Sequence, residues 1–286
     1  MESMDRLRKH PADIPLCPEN AGKLRKHPTG IPLCPENMDR LRKRCTAIIV
    51  AAGQGKRMGG NVQKQYLELM GKPVICHTLE AFQNSPLIDS IILVTGPQQM
   101  AWCRDELVHK YNLSKVDTIT TGGAERYTSV WNGLQVIEED MKKADREGIV
   151  FIHDGVRPFA DDKIIARTLE AAETYGACAA AMPVKETIKL ADENGFVVST
   201  PARNLVWGIQ TPQVFDFQLI YRAYQAAMES GRTDMTDDAM IVESFTDVKV
   251  KLVEGSYENI KITTPEDFYF LKALLELEEN KYVFGL

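Results

Sequence analysis

A chain of 286 residues, 44% of them hydrophobic, is long enough to bury one full core with room for a small appendage. Its formal net charge of −6 argues against a nucleic-acid-binding protein, which would carry a basic stripe. It contains neither a run of about twenty apolar residues nor an apolar signal-peptide core, so a soluble, cytoplasmic protein without membrane partners is expected.

Residues 1–44 stand apart. Leu7 to Asn20 (LRKHPADIPLCPEN) and Leu24 to Asn37 (LRKHPTGIPLCPEN) are near-copies, and a third copy starts at Leu41 and breaks off. The segment holds six of the fourteen prolines and keeps no helical or strand period, so it reads as a duplicated, disordered tail. It carries ten Lys/Arg against six Asp/Glu, leaving 24 against 34 for residues 45–286, so the folded part is acidic. Cys17, Cys34, Cys45, Cys76, Cys103 and Cys178 form no CxxC pair, and no histidine stands at zinc-ligand spacing beside them. Reduced, structural thiols and no protein metal ligands are expected.

The stretch Thr46 to Tyr66 organises the rest. An apolar run, Ala47 to Ala52, reads as a buried parallel strand ending in a turn with Gly53, Gly55, Gly59 and Gly60, alongside Lys56, Arg57 and Lys64. Bare amides and fixed cations at the carboxyl end of a strand suit a polyphosphate. A Rossmann turn would need a third glycine where Met58 stands, and no Gly-Lys-Ser or Gly-Lys-Thr completes a Walker loop. The bland alternative is a glycine-rich surface turn with solvated cations.

Further on, Pro73 to Asn84 predicts a helix, Ser90 to Thr95 a second buried strand, Pro97 to Tyr111 a helix and Val116 to Thr120 a third strand. This β/α alternation implies a Rossmann-like, mainly parallel sheet flanked by helices. Gly122-Gly123 then repeats the glycine turn, ahead of a helix from near Thr128 to about Lys142. The strand Gly148 to His153 delivers Asp154 and Arg157 to the same sheet edge, where they could serve a ligand or simply pair with each other. Asp161 caps a helix to Tyr175, and Cys178 to Val184 is a strand.

From Leu190 the rhythm fails. Asp192-Glu193-Asn194-Gly195 marks a hairpin, within an arm spanning about 185–206, too small to be stable alone, so a second subunit is its natural support. Asp216 to Glu229 and Thr236 to Ser244 read as helices, the latter capped by Thr236; Val248 to Val253 reads as a strand. Asn259 to Thr263 places Lys261 within a short β segment, on a solvated face or in a site, before a last helix from Thr264.

Two glycine turns, a strand-end Asp and cations drawn from separate segments suit nucleotidyl transfer, in which a phosphate oxygen attacks the α-phosphorus of a nucleoside triphosphate. Arg57, Lys64 and Lys261, with Mg²⁺, could stabilise the charge that develops. No Ser-His-Asp or Cys-His arrangement is evident.

Several segments together resemble the 2-C-methyl-D-erythritol 4-phosphate cytidylyltransferase family. They are Ala51 to Met58, Lys64-Gln65-Tyr66, Gly122-Gly123, His153 to Phe159, Thr211-Pro212-Gln213 and Val253 to Thr263. The resemblance runs from about Arg44 to the last helix and implies CMP transfer from CTP to 2-C-methyl-D-erythritol 4-phosphate with release of pyrophosphate. It implies that Arg57, Lys64 and Lys261 are catalytic, Arg57 and Lys64 binding the triphosphate and stabilising the transition state and Lys261 assisting near the methylerythritol phosphate. Ala51, Ala52, Gly53, Gly55, Gly122, Gly123 and Ser129 would hold the nucleotide base, with Gly155 and Arg157 by the ribose. Asp154, Thr211 and Thr236 would contact the sugar-alcohol phosphate, and Thr187 and Arg203 would reach a partner's site through an arm exchanged in a homodimer. Many relatives carry an acidic residue where this chain has Ala124, which leaves base reading there to the backbone. Ribitol-5-phosphate cytidylyltransferase shares the phosphate loop and Thr-Pro-Gln, and a non-catalytic nucleotide-binding partner protein is the rival of another class. Pro183 to Lys189 and Trp207 look more like the methylerythritol branch.

Overall fold

The computed structural model describes residues 43–53, 63–144 and 147–284. Residues 1–42 of the duplicated tail, and Gly55 and Arg57, lie outside them; the tail's last two residues, Lys43 and Arg44, are described, and Arg44 opens a strand. Strand β1 (Arg44–Val50) sits inside a seven-stranded sheet. β4 (Ser90–Thr95) and then β5 (Val116–Thr121) lie to one side of it. On the other lie β6 (Gly148–Asp154), β10 (Trp207–Asp216), β7 (Ala177–Pro183) and β11 (Lys251–Glu254). β10 alone runs antiparallel to its neighbours β6 and β7; the remaining pairings are parallel. The expected mainly parallel sheet is present. Two two-residue strands, β2 (Glu68–Leu69) and β3 (Lys72–Pro73), form a separate ribbon ahead of the first helix.

β1 is buried on both faces, and its alternating side chains feed two cores. Ala47 and Ile49 pack with Ile75, Leu79 and Phe82 of α1 (Val74–Asn84), with Leu107 of the helical segment α2 (97–109) and with Ile165 of α4 (Asp162–Tyr175). Ile48 turns the other way, toward Val130 and Leu134 of α3 (Arg126–Ala144), Ile220 of α5 (Phe217–Ser230) and Ile241 of α6 (Asp238–Phe245). A smaller cluster of Leu69, Val74, Val156, Ile262 and Leu271 seats α7 (Pro265–Phe284) and the segment that carries Lys261.

Several local expectations shift. α2 is a 3₁₀ turn from Pro97, a short α turn and then a π turn over Cys103–His109, not one α-helix. α6 is capped by Asp237, whose carboxylate accepts from the Met240 amide at 2.9 Å; Thr236 contacts the Met240 sulfur instead. Residues 259–263 form no strand. They are tied singly to the β6 loop, by the Ile262 amide donating to Val156 O at 3.1 Å and by Arg157 Nη1 donating to Asn259 O at 2.7 Å. The hairpin is present as β8 (Leu190–Ala191) and β9 (Val197–Ser199), turned by Gly195 at φ 85° with Asp192 accepting from the amides of Asn194 and Phe196.

Candidate active site

In an open α/β sheet, ligands bind beyond the carboxyl ends of the strands where the strand order reverses. Here the order reverses at β1, between β4 and β6. A cleft of about 680 Å³ opens at that point, lined by Ala51, Ala52, Gly53, Lys64, Gly123, Arg126, Ser129, Asp154 and Lys261 among others. A smaller recess of about 220 Å³ adjoins it, sharing Ala52 and Gly123 and adding Gly122 with the 96–99 turn.

The turn after β1 is fastened from inside. The buried Gln65 side-chain amide donates to the carbonyls of Ala51 and Gly53 at 2.7 and 2.9 Å, which fixes the start of the glycine turn. The neighbouring Lys64 reaches across the cleft to Ile262 O at 2.7 Å. The second glycine turn comes just as close: a side chain at Gly122 would overlap the Ala52 Cβ and crowd Ser129 Oγ. Ser129 Oγ accepts the Gly123 amide at 3.1 Å and donates to Glu125 O, so the helix start and the glycine pair are one unit.

Asp154 is the electrostatic centre. It is buried, and its carboxylate meets Lys261 Nζ at 2.8 Å, Arg126 Nε at 3.1 Å and Arg157 Nε at 3.6 Å. Burial alone would raise its pKa, but the Arg126, Lys261 and Arg157 cations outweigh burial and hold it well below the usual carboxylate range. Burial pushes the Arg157 guanidinium down, Asp154 only partly offsetting it.

Beneath this, His153 is fully buried, and burial lowers its pKa to about 4. Its Nε2 meets the Arg157 carbonyl at 3.0 Å, which can only accept, so the proton is on Nε2 and Nδ1 accepts from the Thr211 hydroxyl at 3.1 Å. Thr211 Oγ1 in turn accepts the Asp154 amide at 3.1 Å. The chain Asp154–Thr211–His153–Arg157 thus fixes the loop carrying the carboxylate.

The structure therefore brings Lys64, Lys261, Ala51, Ala52, Gly53, Gly122, Gly123, Ser129 and Asp154 to one opening. Gly155, Arg157 and Thr211 are buried behind it; a Cβ on Gly155 would lie 2.6 Å from Ile75 Cδ1. Thr236 is exposed beside α6, and Thr187 and Arg203 stand exposed on the arm, none of them lining the cleft. Sequence reasoning missed Arg126 and its partner Asp238. The available signal was an arginine two residues past Ala124 at a helix start, and a second acid in Thr236-Asp237-Asp238.

Comparisons with known proteins bear directly on this arrangement. Residues 45–277 match the family profile described as IspD, 2-C-methyl-D-erythritol 4-phosphate cytidylyltransferase. The chain belongs to this family. A relative of that name from Caldanaerobacter subterraneus subsp. tengcongensis is 44% identical over 229 residues, covering 80% of this chain and 97% of its own. Another from Lachnospira eligens is 47% identical over 222 residues, covering 77% and 94%. Among solved structures, 4-diphosphocytidyl-2C-methyl-D-erythritol synthase from Anaerococcus prevotii superposes with a TM-score of 0.71 at 36% identity, covering 82% of this chain and 96% of that one. The Francisella tularensis 2-C-methyl-D-erythritol 4-phosphate cytidylyltransferase gives 0.66 at 31%, covering 80% and 98%. The cytidylyltransferase match starts at Cys45, one residue into β1, and ends within α7, so it spans the sheet and both glycine turns.

Proposed function

We propose that this chain transfers CMP from CTP to 2-C-methyl-D-erythritol 4-phosphate and releases pyrophosphate. The observation that carries the reading is the convergence of Lys64 and Lys261: Lys64 is bonded to the carbonyl of Ile262, the residue after Lys261, at the mouth of the two glycine turns. A phosphate monoester is already anionic at neutral pH and needs no general base. The reaction then needs alignment of its oxygen with the α-phosphorus and neutralisation of the charge on the equatorial and leaving oxygens. Lys64 and Lys261 supply fixed charge from two sides, and Arg57, from the turn after Gly53, is the third cation in this reading.

The recess by Ala52, Gly122 and Gly123 would take the base against main-chain groups, Ala124 having no side-chain polar atom to offer. Among the described residues there is no group of three or more His, Cys, Asp or Glu that could hold a metal ion, and both Asp154 oxygens face cations. These side chains do not fit a resident Mg²⁺, so we assign the ion to the triphosphate, which brings its own oxygens.

The arm leaves Phe196, Val197, Val198 and Leu205 exposed, Leu205 at 76%, which supports a homodimer in which Thr187 and Arg203 enter the partner's cleft. The buried free thiols of Cys76, Cys103 and Cys178 support a reducing, cytoplasmic setting. The test is pyrophosphate release with CTP and Mg²⁺, offering methylerythritol phosphate and ribitol 5-phosphate in parallel. Turnover with the first alone is expected. Turnover with ribitol 5-phosphate alone would move the chain to the ribitol branch, and silence with both would favour a binding protein.

A further inference from the structure

Arg126 has no role in the reading above, yet it lines the cleft and all three of its guanidinium nitrogens donate to buried carboxylates. It opens α3 two residues beyond Ala124. Nη1 and Nη2 donate to the two Asp238 oxygens at 2.9 and 2.8 Å, and Nε donates to Asp154 Oδ1 at 3.1 Å. Asp238 is itself fully buried and accepts from the Tyr224 hydroxyl at 2.5 Å. A guanidinium gripped on its fork edge and again at Nε has no freedom to turn. Buried ion pairs add little stability over a packed apolar pair, so stability alone does not account for this arrangement.

Its effect is to give Asp154 two unlike sides. Oδ1 faces the immobilised Arg126, whereas Oδ2 faces Lys261, whose side chain is 35% exposed on an irregular segment at the cleft mouth, with the buried Arg157 Nε farther off at 3.6 Å and not hydrogen-bonded to it. Lys261 is therefore the partner that can leave. If it turned to an arriving phosphate and only Arg157, at 3.6 Å and without a hydrogen bond, still faced Asp154, the buried carboxylate would be poorly paired, and the exchange would be opposed.

We infer that Arg126 is a positioning residue. Gripped by Asp238, it keeps Asp154 paired and in place, so that Lys261 can pass from Asp154 to the phosphate of the sugar-alcohol substrate. This rests on the reading that Lys261 meets that phosphate. Without Arg126, Asp154 would keep Lys261 as its main partner and the incoming phosphate would have to compete with it.

The test is steady-state pyrophosphate release by full-length Arg126→Gln, Arg126→Lys, Lys261→Ala and the doubles Arg126→Gln/Asp238→Asn and Arg126→Gln/Lys261→Ala, with each substrate varied and folding followed by circular dichroism. The Gln/Asn double replaces the ion pair by an amide pair and leaves no unpaired buried carboxylate. KM for the sugar phosphate should rise tenfold or more in Arg126→Gln and in the Gln/Asn double, with KM for CTP within about twofold of wild type. Arg126→Lys, still able to reach Asp154, should recover part of the loss. In the Lys261→Ala background Arg126→Gln should add little, because both changes act on one exchange. Unchanged KM values, a parallel rise for both substrates, or full additivity with Lys261→Ala would overturn the inference. If Lys261→Ala alone leaves the sugar-phosphate KM unmoved, the assignment of Lys261 fails first; if it raises that KM and Arg126→Gln does not, only this inference fails.

Discussion

The Lys64 ammonium donates to the main-chain carbonyl of Ile262 at 2.7 Å, joining two points 198 residues apart. The bond ties the short 3₁₀ turn Lys64–Tyr66 to the segment presenting Lys261, joining two parts of the cleft lining. Lys64→Ala should lower kcat by about 10²–10³, the scale for losing one fixed charge contact in the transition state. Lys64 is half-buried on a short 3₁₀ turn, so the far-UV circular dichroism should stay that of wild type. Pyrophosphate release at saturating CTP and methylerythritol phosphate measures it, and retained turnover would count against the catalytic assignment.

Gly122 packs closely against Ala52, two residues beyond the end of β1. A methyl group there would overlap the Ala52 Cβ and lie 2.8 Å from Ser129 Oγ, and Ala52 follows the strand too closely to step aside. Gly122→Ala should therefore cost about 1–3 kcal/mol of stability, as overpacking does, and raise KM for CTP well above any change for the sugar phosphate. Urea unfolding and CTP titration read the two effects separately. An unaltered affinity for CTP would argue that the base does not sit in this recess.

The legible and illegible parts of the site differ in kind. Buried strands announced themselves as apolar runs, and the phosphate turn as glycines with cations, because both signals are local in sequence. Lys261 was placed on a strand from its apolar neighbours, but Ile262 is buried, and Ile260 half-buried, against the β6 loop and α7, a cluster that only the tertiary fold assembles. Arg126 and Asp238 lie 112 residues apart, and neither has a neighbour in sequence that distinguishes it from an ordinary helix-start charge. The π turn at Cys103–His109 likewise left no mark in a pattern that reads as plain helix. Thr211 stood out in Thr-Pro-Gln, yet its hydroxyl is engaged inside the molecule, by His153 and the Asp154 amide.

The arm makes a prediction about assembly. A hairpin of this size is not stable alone, and Phe196 is 73% and Val198 68% exposed, so the apolar residues need a second surface. Sedimentation should report a dimer, and Phe196→Asp with Val198→Asp should shift it toward monomer. Arg203→Ala should raise KM for the sugar phosphate more than for CTP. A wild-type monomer that is fully active would sink the exchanged-arm proposal.

His153 sets the acid side of the stability profile. Burial lowers its pKa to about 4, and protonating Nδ1 would set a second proton against the Thr211 hydroxyl that donates to it. In the unfolded chain the ring takes its proton near pH 6.5. Between those values the unfolded state binds a proton that the native state refuses, so stability rises with pH through the window and is lost as pH falls. The loss from pH 7 to pH 4 is on the order of 3 kcal/mol. Asp154, held low by Arg126, Lys261 and Arg157 against the effect of burial, contributes stability that is present above about pH 4 and lost only below it, so the two groups separate along the pH axis. His153→Gln should cost about 1–3 kcal/mol at pH 7 through lost buried hydrogen bonds, yet flatten the slope between pH 6.5 and 4. Urea midpoints at pH 7, 6, 5 and 4 for both proteins decide the matter, since equal slopes would mean that another group carries the acid sensitivity.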